Sequence, residues 1–287
     1  MSGPVLMLLA LAIFASTDAM IKALTEVHGP YQILLIKAAI SLGPLLAIAA
    51  ASGFATLRTA HLGFHLLRGG LITGAFVLIT YSFSVLPLAE AYVVSYTSPL
   101  ISAVLARFFL GEALSPRILG AILLGFAGVA TMAAPDLSGA RPLGLAAAAA
   151  GSVLWAANVV AVRRLGRTES NTALLFYSSL VSIVVMLPLM PGRWVDPDPA
   201  GWLLLTAMSL FATVGGYCVV EAFKRAEVAR LVPLEYTAML WALGFDYAFW
   251  GTLPIAWTLV GAVLVIGAAL IAERTRPAAI DSPRGGG

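Results

Sequence analysis

Residues 4–25 read PVLMLLALAIFASTDAMIKALT, and this stretch decides the fold. At 1.5 Å per residue it is about 33 Å long as a helix, enough to cross roughly 30 Å of hydrocarbon. It lacks the positive leading region of a secretory signal and runs directly into Asp18 and Lys22, so it reads as a first, uncleaved membrane span. Asp18 and Lys22 stand four apart on one helical face, which allows them to pair; Ser16 and Thr17 extend that polar turn.

Outward from this stretch the same pattern recurs. Apolar runs occupy 4–25, 30–51, 66–86, 89–109, 117–134, 143–162, 171–190, 201–222, 229–250 and 255–272, each of membrane-crossing length. Gly and Pro mark the joints, as at His28-Gly29-Pro30, Leu86-Pro87 and Pro191-Gly192. Of 287 residues 60% are hydrophobic and 11% charged, against about 25% charged in a soluble domain. That leaves too little polar residue to coat a globule, so the expectation is an all-α integral membrane protein of ten transmembrane helices. The net charge of +3 sits in small groups between apolar runs and does not point to nucleic acid. A single cysteine, Cys218, lies within an apolar run and excludes an intramolecular disulfide framework.

With the N-terminus inside, the inner loops and tail collect most of the cations, among them Arg58, Arg68, Arg107, Arg117, Arg163, Arg164, Arg167, Lys224, Arg225, Arg230 and Arg274. The positive-inside rule then places both termini in the cytoplasm. Leu88-Ala89-Glu90-Ala91 leads the fourth run as Arg225-Ala226-Glu227-Val228 leads the ninth. Two halves of five spans are expected, 1–137 and 138–287. An odd number per half inverts one half relative to the other, a transporter device built around a midplane site.

A charged side chain at the bilayer centre costs about 2.5–3.5 kcal/mol, so each embedded polar group needs a partner, a cavity or a function. Asp18 and Lys22 are candidates for proton coupling or charge compensation, and their alternative is a structural clasp. Lys37 is placed to snorkel or to pair with Asp18. The ninth run carries Pro233, Glu235, Tyr236, Trp241 and Asp246; Pro233 frees backbone carbonyls that only a cavity or neighbouring protein tolerates, and Glu235 is a proton-coupling candidate. Pro99 and Pro233 are candidates for helix bending and gating. Tyr81, Tyr96, Trp155, Asn158, Tyr217, Tyr236 and Trp241 are the candidate substrate-binding residues: rings for a solute's apolar body, polar tips for its orientation. Asn158 is equally suited to interhelical hydrogen bonding.

Asp18-x3-Lys22 with Gln32-x4-Lys37, then Ser98-Pro99-Leu100 and Leu110-Gly111-Glu112, and later Arg163-Arg164-Leu165 and Pro233-Leu234-Glu235-Tyr236-Thr237 with Trp241, resemble the EamA type of the drug/metabolite transporter superfamily. The order of the motifs carries the resemblance across nearly the whole chain. It implies two inverted five-helix repeats, a shared central cavity and alternating access without ATP. Some members, such as the YddG type, export amino acids; others move vitamins or nucleotide-like metabolites. Two departures stand out: Gly251-Thr252 occupies the place of a second Gly-Glu pair, and Lys37 that of a common arginine.

Other classes find little support. A membrane enzyme acting on lipid needs an interfacial acid–base cluster, and Glu112 with Arg107 is the nearest thing to one. A channel needs rings of like charge or carbonyls, which isolated Asp18 and Glu235 do not supply. No metal-ligand spacing, phosphate loop or cofactor motif occurs, so the expected partners are a small-molecule substrate and membrane lipid, with the chain as monomer or homodimer.

Overall fold

Proline and glycine set the helix ends in the computed structural model, which describes residues 2–111, 116–133, 141–165, 169–225, 234 and 237–274. Its α-helices are α1 (Gly3–Leu24), α2 (Pro30–Ser52), α3 (Leu62–Val85), α4 (Leu88–Ser95), α5 (Ser98–Leu110), α6 (Pro116–Ala133), α7 (Arg141–Leu165), α8 (Asn171–Met186), α9 (Pro199–Arg225), α10 (Ala238–Trp250) and α11 (Ala256–Arg274). There is no strand among the described residues. Among the described residues seven stretches are long and apolar enough to cross a membrane: Gly3–Leu24, Pro30–Ser52, Leu62–Val85, Leu88–Phe109, Arg141–Val162, Thr172–Leu189 and Pro199–Gly216. Two shorter apolar helices, Leu119–Thr131 and Ala256–Ala268, accompany them. The expected boundary between halves, at 137/138, lies outside the described residues.

The fourth apolar run is not one continuous helix. It breaks between α4 and α5, where the Thr97 amide turns back to the Val94 carbonyl at 3.0 Å. Pro99 enters at the first turn of α5; it has no N–H, and its ring would clash with the carbonyl four residues earlier in an unbroken helix. At the far ends of α5 and α10, Gly111 (φ 71°) and Gly251 (φ 61°) adopt the left-handed conformation that ends a helix.

Pairs of helices pack through glycine. α1 lies along α9, α3 along α7, α6 along α11 and α2 along α8. A Cβ on Gly215 would meet the Phe14 ring, one on Gly151 the Ile79 side chain and Ala75 carbonyl, and one on Gly128 the Gly261 carbonyl at 2.9 Å. Without a hydrophobic driving force in lipid, such close approach is what holds helices together. A buried cluster of Ala19, Ile21, Leu24, Ile33, Ile36, Phe83, Leu88 and Met208 fills the end of the bundle that holds the 25–29 turn, here the upper end. The 53–61 connection marks the lower end. Large apolar side chains such as Phe108, Leu203, Leu240 and Val263 stand on the outside.

Candidate functional site

The upper end is closed by charges. Asp246, 2% exposed, accepts from Lys22 Nζ at 2.8 Å and from the first two amides of α4, Leu88 and Ala89, at 3.0 Å each. Those amides have no partner within the helix and sit at its positive end, so a carboxylate there is well matched. Lys22 Nζ also lies 4.4 Å from the Trp250 ring centroid, and the Trp250 indole donates to Glu26 at 2.9 Å. Beside this, Glu90 Oε1 accepts from Thr258 at 2.9 Å and from Arg141 at 3.2 Å. α1, α4, α7, α10 and α11 are thereby tied together. The pairing of Lys22 with Asp18 expected from their spacing is not formed: Lys22 reaches a carboxylate 224 residues away, because Asp246 comes with two backbone donors that stabilise its charge.

Asp18 turns elsewhere. Its Oδ2 accepts the Tyr92 hydroxyl at 2.5 Å, and it lies within electrostatic reach of Lys37 on α2. Lys37 neither snorkels nor forms an ion pair with Asp18 within 4.0 Å; its Nζ sits 4.2 Å from the Phe76 ring centroid. Both side chains are half-buried, at mid-helix positions of α1 and α2. Phe76, Tyr92 and Tyr96 are half-buried around them, with the Tyr92 and Tyr96 rings 6.3 Å apart.

The structure brings together some of the expected site residues and separates others. Tyr96 ends α4 at the helix break and packs against Val93, Met239, Ala262 and Val265. Trp155 shares a face of α7 with buried Ala148, Gly151 and Ser152, opposite the exposed Ala146, Ala150 and Val153, yet is itself 46% exposed. Asn158 is buried against α3 on the stripe of Gly144 and Gly151, and its Oδ1 has no partner among the described residues. Tyr81 is turned away from Phe76 by about 140° of helix, onto the line of Gly74 and Val85 that meets α7. Trp241 shares the exposed face of α10 with Gly244 and Ala248, across from Met239, Ala242 and Asp246. Pro233, Glu235 and Tyr236 lie outside the described residues, as do the side chains of Tyr217 in α9 and Pro99 in α5.

At the lower end Glu169 gathers Thr59 Oγ1 at 3.0 Å, His61 Nδ1 at 3.1 Å and His65 Nε2 at 3.1 Å. Burial pushes its carboxyl up, but the hydrogen bonds from His65, His61 and Thr59 outweigh this and hold it below the ordinary carboxyl range. Ser170 caps α8 and donates to the Thr56 carbonyl at 2.5 Å. No group of three His, Cys, Asp or Glu suited to a metal occurs among the described residues.

The family model described as the EamA-like transporter family matches residues 1–134 and 142–273. The chain belongs to the EamA-like transporter family. This EamA protein, of the drug/metabolite transporter superfamily, is a multi-pass inner-membrane protein. It is 25% identical to the pseudopaline exporter CntI of Pseudomonas aeruginosa, over 96% of this chain and 97% of that one. An S-adenosylmethionine uptake transporter of Rickettsia bellii is 27% identical, over 92% and 90%. A riboflavin transporter of Brucella anthropi is 26% identical, over 77% and 80%. A solved crystal structure aligns over 94% of this chain and 96% of its own with a TM-score of 0.62 and 23% identity, a likeness of fold. Membrane transport of small solutes is the activity common to these named relatives.

Proposed function

We propose that this EamA protein is a secondary transporter, without enzymatic activity, that exports amino acids or similar small metabolites across the inner membrane by alternating access. In this reading ten transmembrane helices form two inverted five-helix repeats, with both termini in the cytoplasm and the upper end facing outward. The observation that carries it is a set of embedded, half-buried polar groups below a charge-tied end: the Asp246 cluster joins α1, α4 and α10, and Asp18, Lys37, Tyr92 and Tyr96 lie beneath.

Support for the repeat comes from packing. Exchanging the two halves turns the α1–α9 pair into α7–α3, and leaves the α2–α8 and α6–α11 pairs as they are. The family model also matches once in each half, and Gly111 and Gly251 end corresponding helices in the same conformation. The solute then meets both halves at one site, and opening one end while closing the other exposes it in turn.

Counterflow of radiolabelled amino acids in proteoliposomes tests this. Saturable exchange weakened by Tyr96→Ala and Glu235→Gln is the expected result; no exchange of any amino acid would overturn the substrate class. The second reading is an uptake carrier for a vitamin or nucleotide-like metabolite, favoured by the names of the S-adenosylmethionine and riboflavin relatives. Exchange of such a compound in place of amino acids would establish it.

A further inference from the structure

We propose that Asp18 and Lys37 form a two-point recognition site for a solute that carries an ammonium and a carboxylate close together. The inference rests on the carrier reading above and assigns the groups that hold the substrate's two charges. Four observations lead to it.

First, the two charges are unspent. Asp18 uses Oδ2 on the Tyr92 hydroxyl, and its Oδ1 has no hydrogen-bond partner among the described residues. Among the described residues Lys37 has no hydrogen bond or ion pair, and its ammonium lies 4.2 Å from the Phe76 ring centroid. Lys22, on the same side of the bundle, has an ion pair with Asp246 and the Trp250 ring beside it, so the fold can supply an embedded lysine with a carboxylate partner of its own.

Second, the pair is held apart. Asp18 and Lys37 influence one another electrostatically but stay beyond 4.0 Å. The Tyr92 hydroxyl holds the carboxylate on the α4 side, and the Phe76 face holds the ammonium on the α3 side. A positioned anion and a positioned cation that do not pair directly can each take the opposite charge of a zwitterion.

Third, the two groups are level. Asp18 is six residues short of the end of α1 and Lys37 seven residues past the start of α2, hence about 9 Å and about 10.5 Å below the upper end. A solute lying flat between the helices reaches both.

Fourth, the sign pattern is selective. A lone cation attracted by Asp18 is repelled by Lys37, and a lone anion the reverse; only a solute bearing both charges gains from both. Phe76, Tyr92 and Tyr96 offer apolar surface for its side chain. Capping either charge leaves a buried group of the protein unpaired, the strongest form of discrimination available to such a site.

The test is counterflow of labelled L-phenylalanine in proteoliposomes, with unlabelled phenylalanine, phenylalaninamide and N-acetylphenylalanine as competitors. For the wild type, the amide and the N-acetyl compound should compete at least about tenfold more weakly than phenylalanine. Asp18→Asn and Lys37→Met should each weaken phenylalanine by about 10- to 100-fold, the range for a hydrogen bond to a charged group. Asp18→Asn should also narrow the gap to N-acetylphenylalanine, and Lys37→Met the gap to the amide, while Lys37→Arg retains exchange. Size-exclusion profiles and melting temperatures establish that the variants fold, and the wild-type competition series needs no variant. Equal competition by the capped compounds, or phenylalanine exchange unchanged in folded Asp18→Asn and Lys37→Met, would overturn this inference and leave the carrier reading intact. Wild-type protein that exchanges no amino acid at all overturns the carrier reading itself.

Discussion

Asp246 shows how one side chain can hold three helices. It is buried, takes a lysine ammonium from α1 and two amides from α4, and sits on α10. Removing one partner of a buried pair costs about 3–5 kcal/mol, because the other charge is left uncompensated. Asp246→Ala should therefore open the upper end. In a Cys218→Ser background, a cysteine at the buried Ala19 position should react with a membrane-impermeant maleimide at least about tenfold faster when Asp246→Ala is added. The double substitution Lys22→Met, Asp246→Leu should recover much of the protection, since an apolar pair leaves no charge stranded. An unchanged labelling rate in Asp246→Ala would mean that the upper end is held by other contacts. The sequence made Lys22 and Asp246 visible as embedded charges, but not as partners: 224 residues separate them, whereas Asp18 stood a single turn from Lys22 and satisfied the local rule.

At the scale of helices, close approach through glycine sets the architecture, and it separates two substitutions that look alike in sequence. Gly128 and Gly120 both lie in α6. A Cβ at Gly128 would stand 2.9 Å from the Gly261 carbonyl of α11, a backbone atom that cannot yield, whereas one at Gly120 meets nothing within 4 Å. Gly128→Ala should destabilise by about 1–3 kcal/mol, and Gly120→Ala should be neutral or stabilise by up to about 1 kcal/mol; melting in detergent reads the difference. Pro99→Ala removes the reason for the α4–α5 break and should slow exchange more than it lowers membrane expression. Apolar run length made the helices legible, and the joints followed from Gly and Pro. The break at Tyr96–Thr97 was legible only as Pro99 itself, because apolar residues continue on both sides of it. Side-chain direction was the least legible. A helix apolar all round carries no stripe to orient it, so the faces on which Trp155, Tyr81 and Trp241 lie emerge only from the packing of their helices.

For the whole molecule, the two ends respond to different conditions. Glu169 binds its proton less readily folded than unfolded, so its contribution to stability is present above the ordinary carboxyl range and is lost as pH falls through the folded value. Melting temperature should drop across that acidic interval in the wild type, and Glu169→Gln should flatten the drop; a parallel drop in both would assign acid sensitivity elsewhere. The proposed orientation predicts that a C-terminal fluorescent-protein fusion is bright and a C-terminal alkaline phosphatase fusion inactive. The level placement of Asp18 and Lys37 has a further consequence, for voltage. Moving one elementary charge through the membrane field is worth about 2.3 kcal/mol per 100 mV, but two opposite charges at the same depth cancel in any motion that carries them together. Reorientation of the empty carrier, and of the carrier holding a zwitterion, moves no net charge through these groups. Imposing a potassium diffusion potential should therefore leave the exchange rate unchanged, whereas Lys37→Met, with Asp18 alone, should make it depend on the sign of that potential.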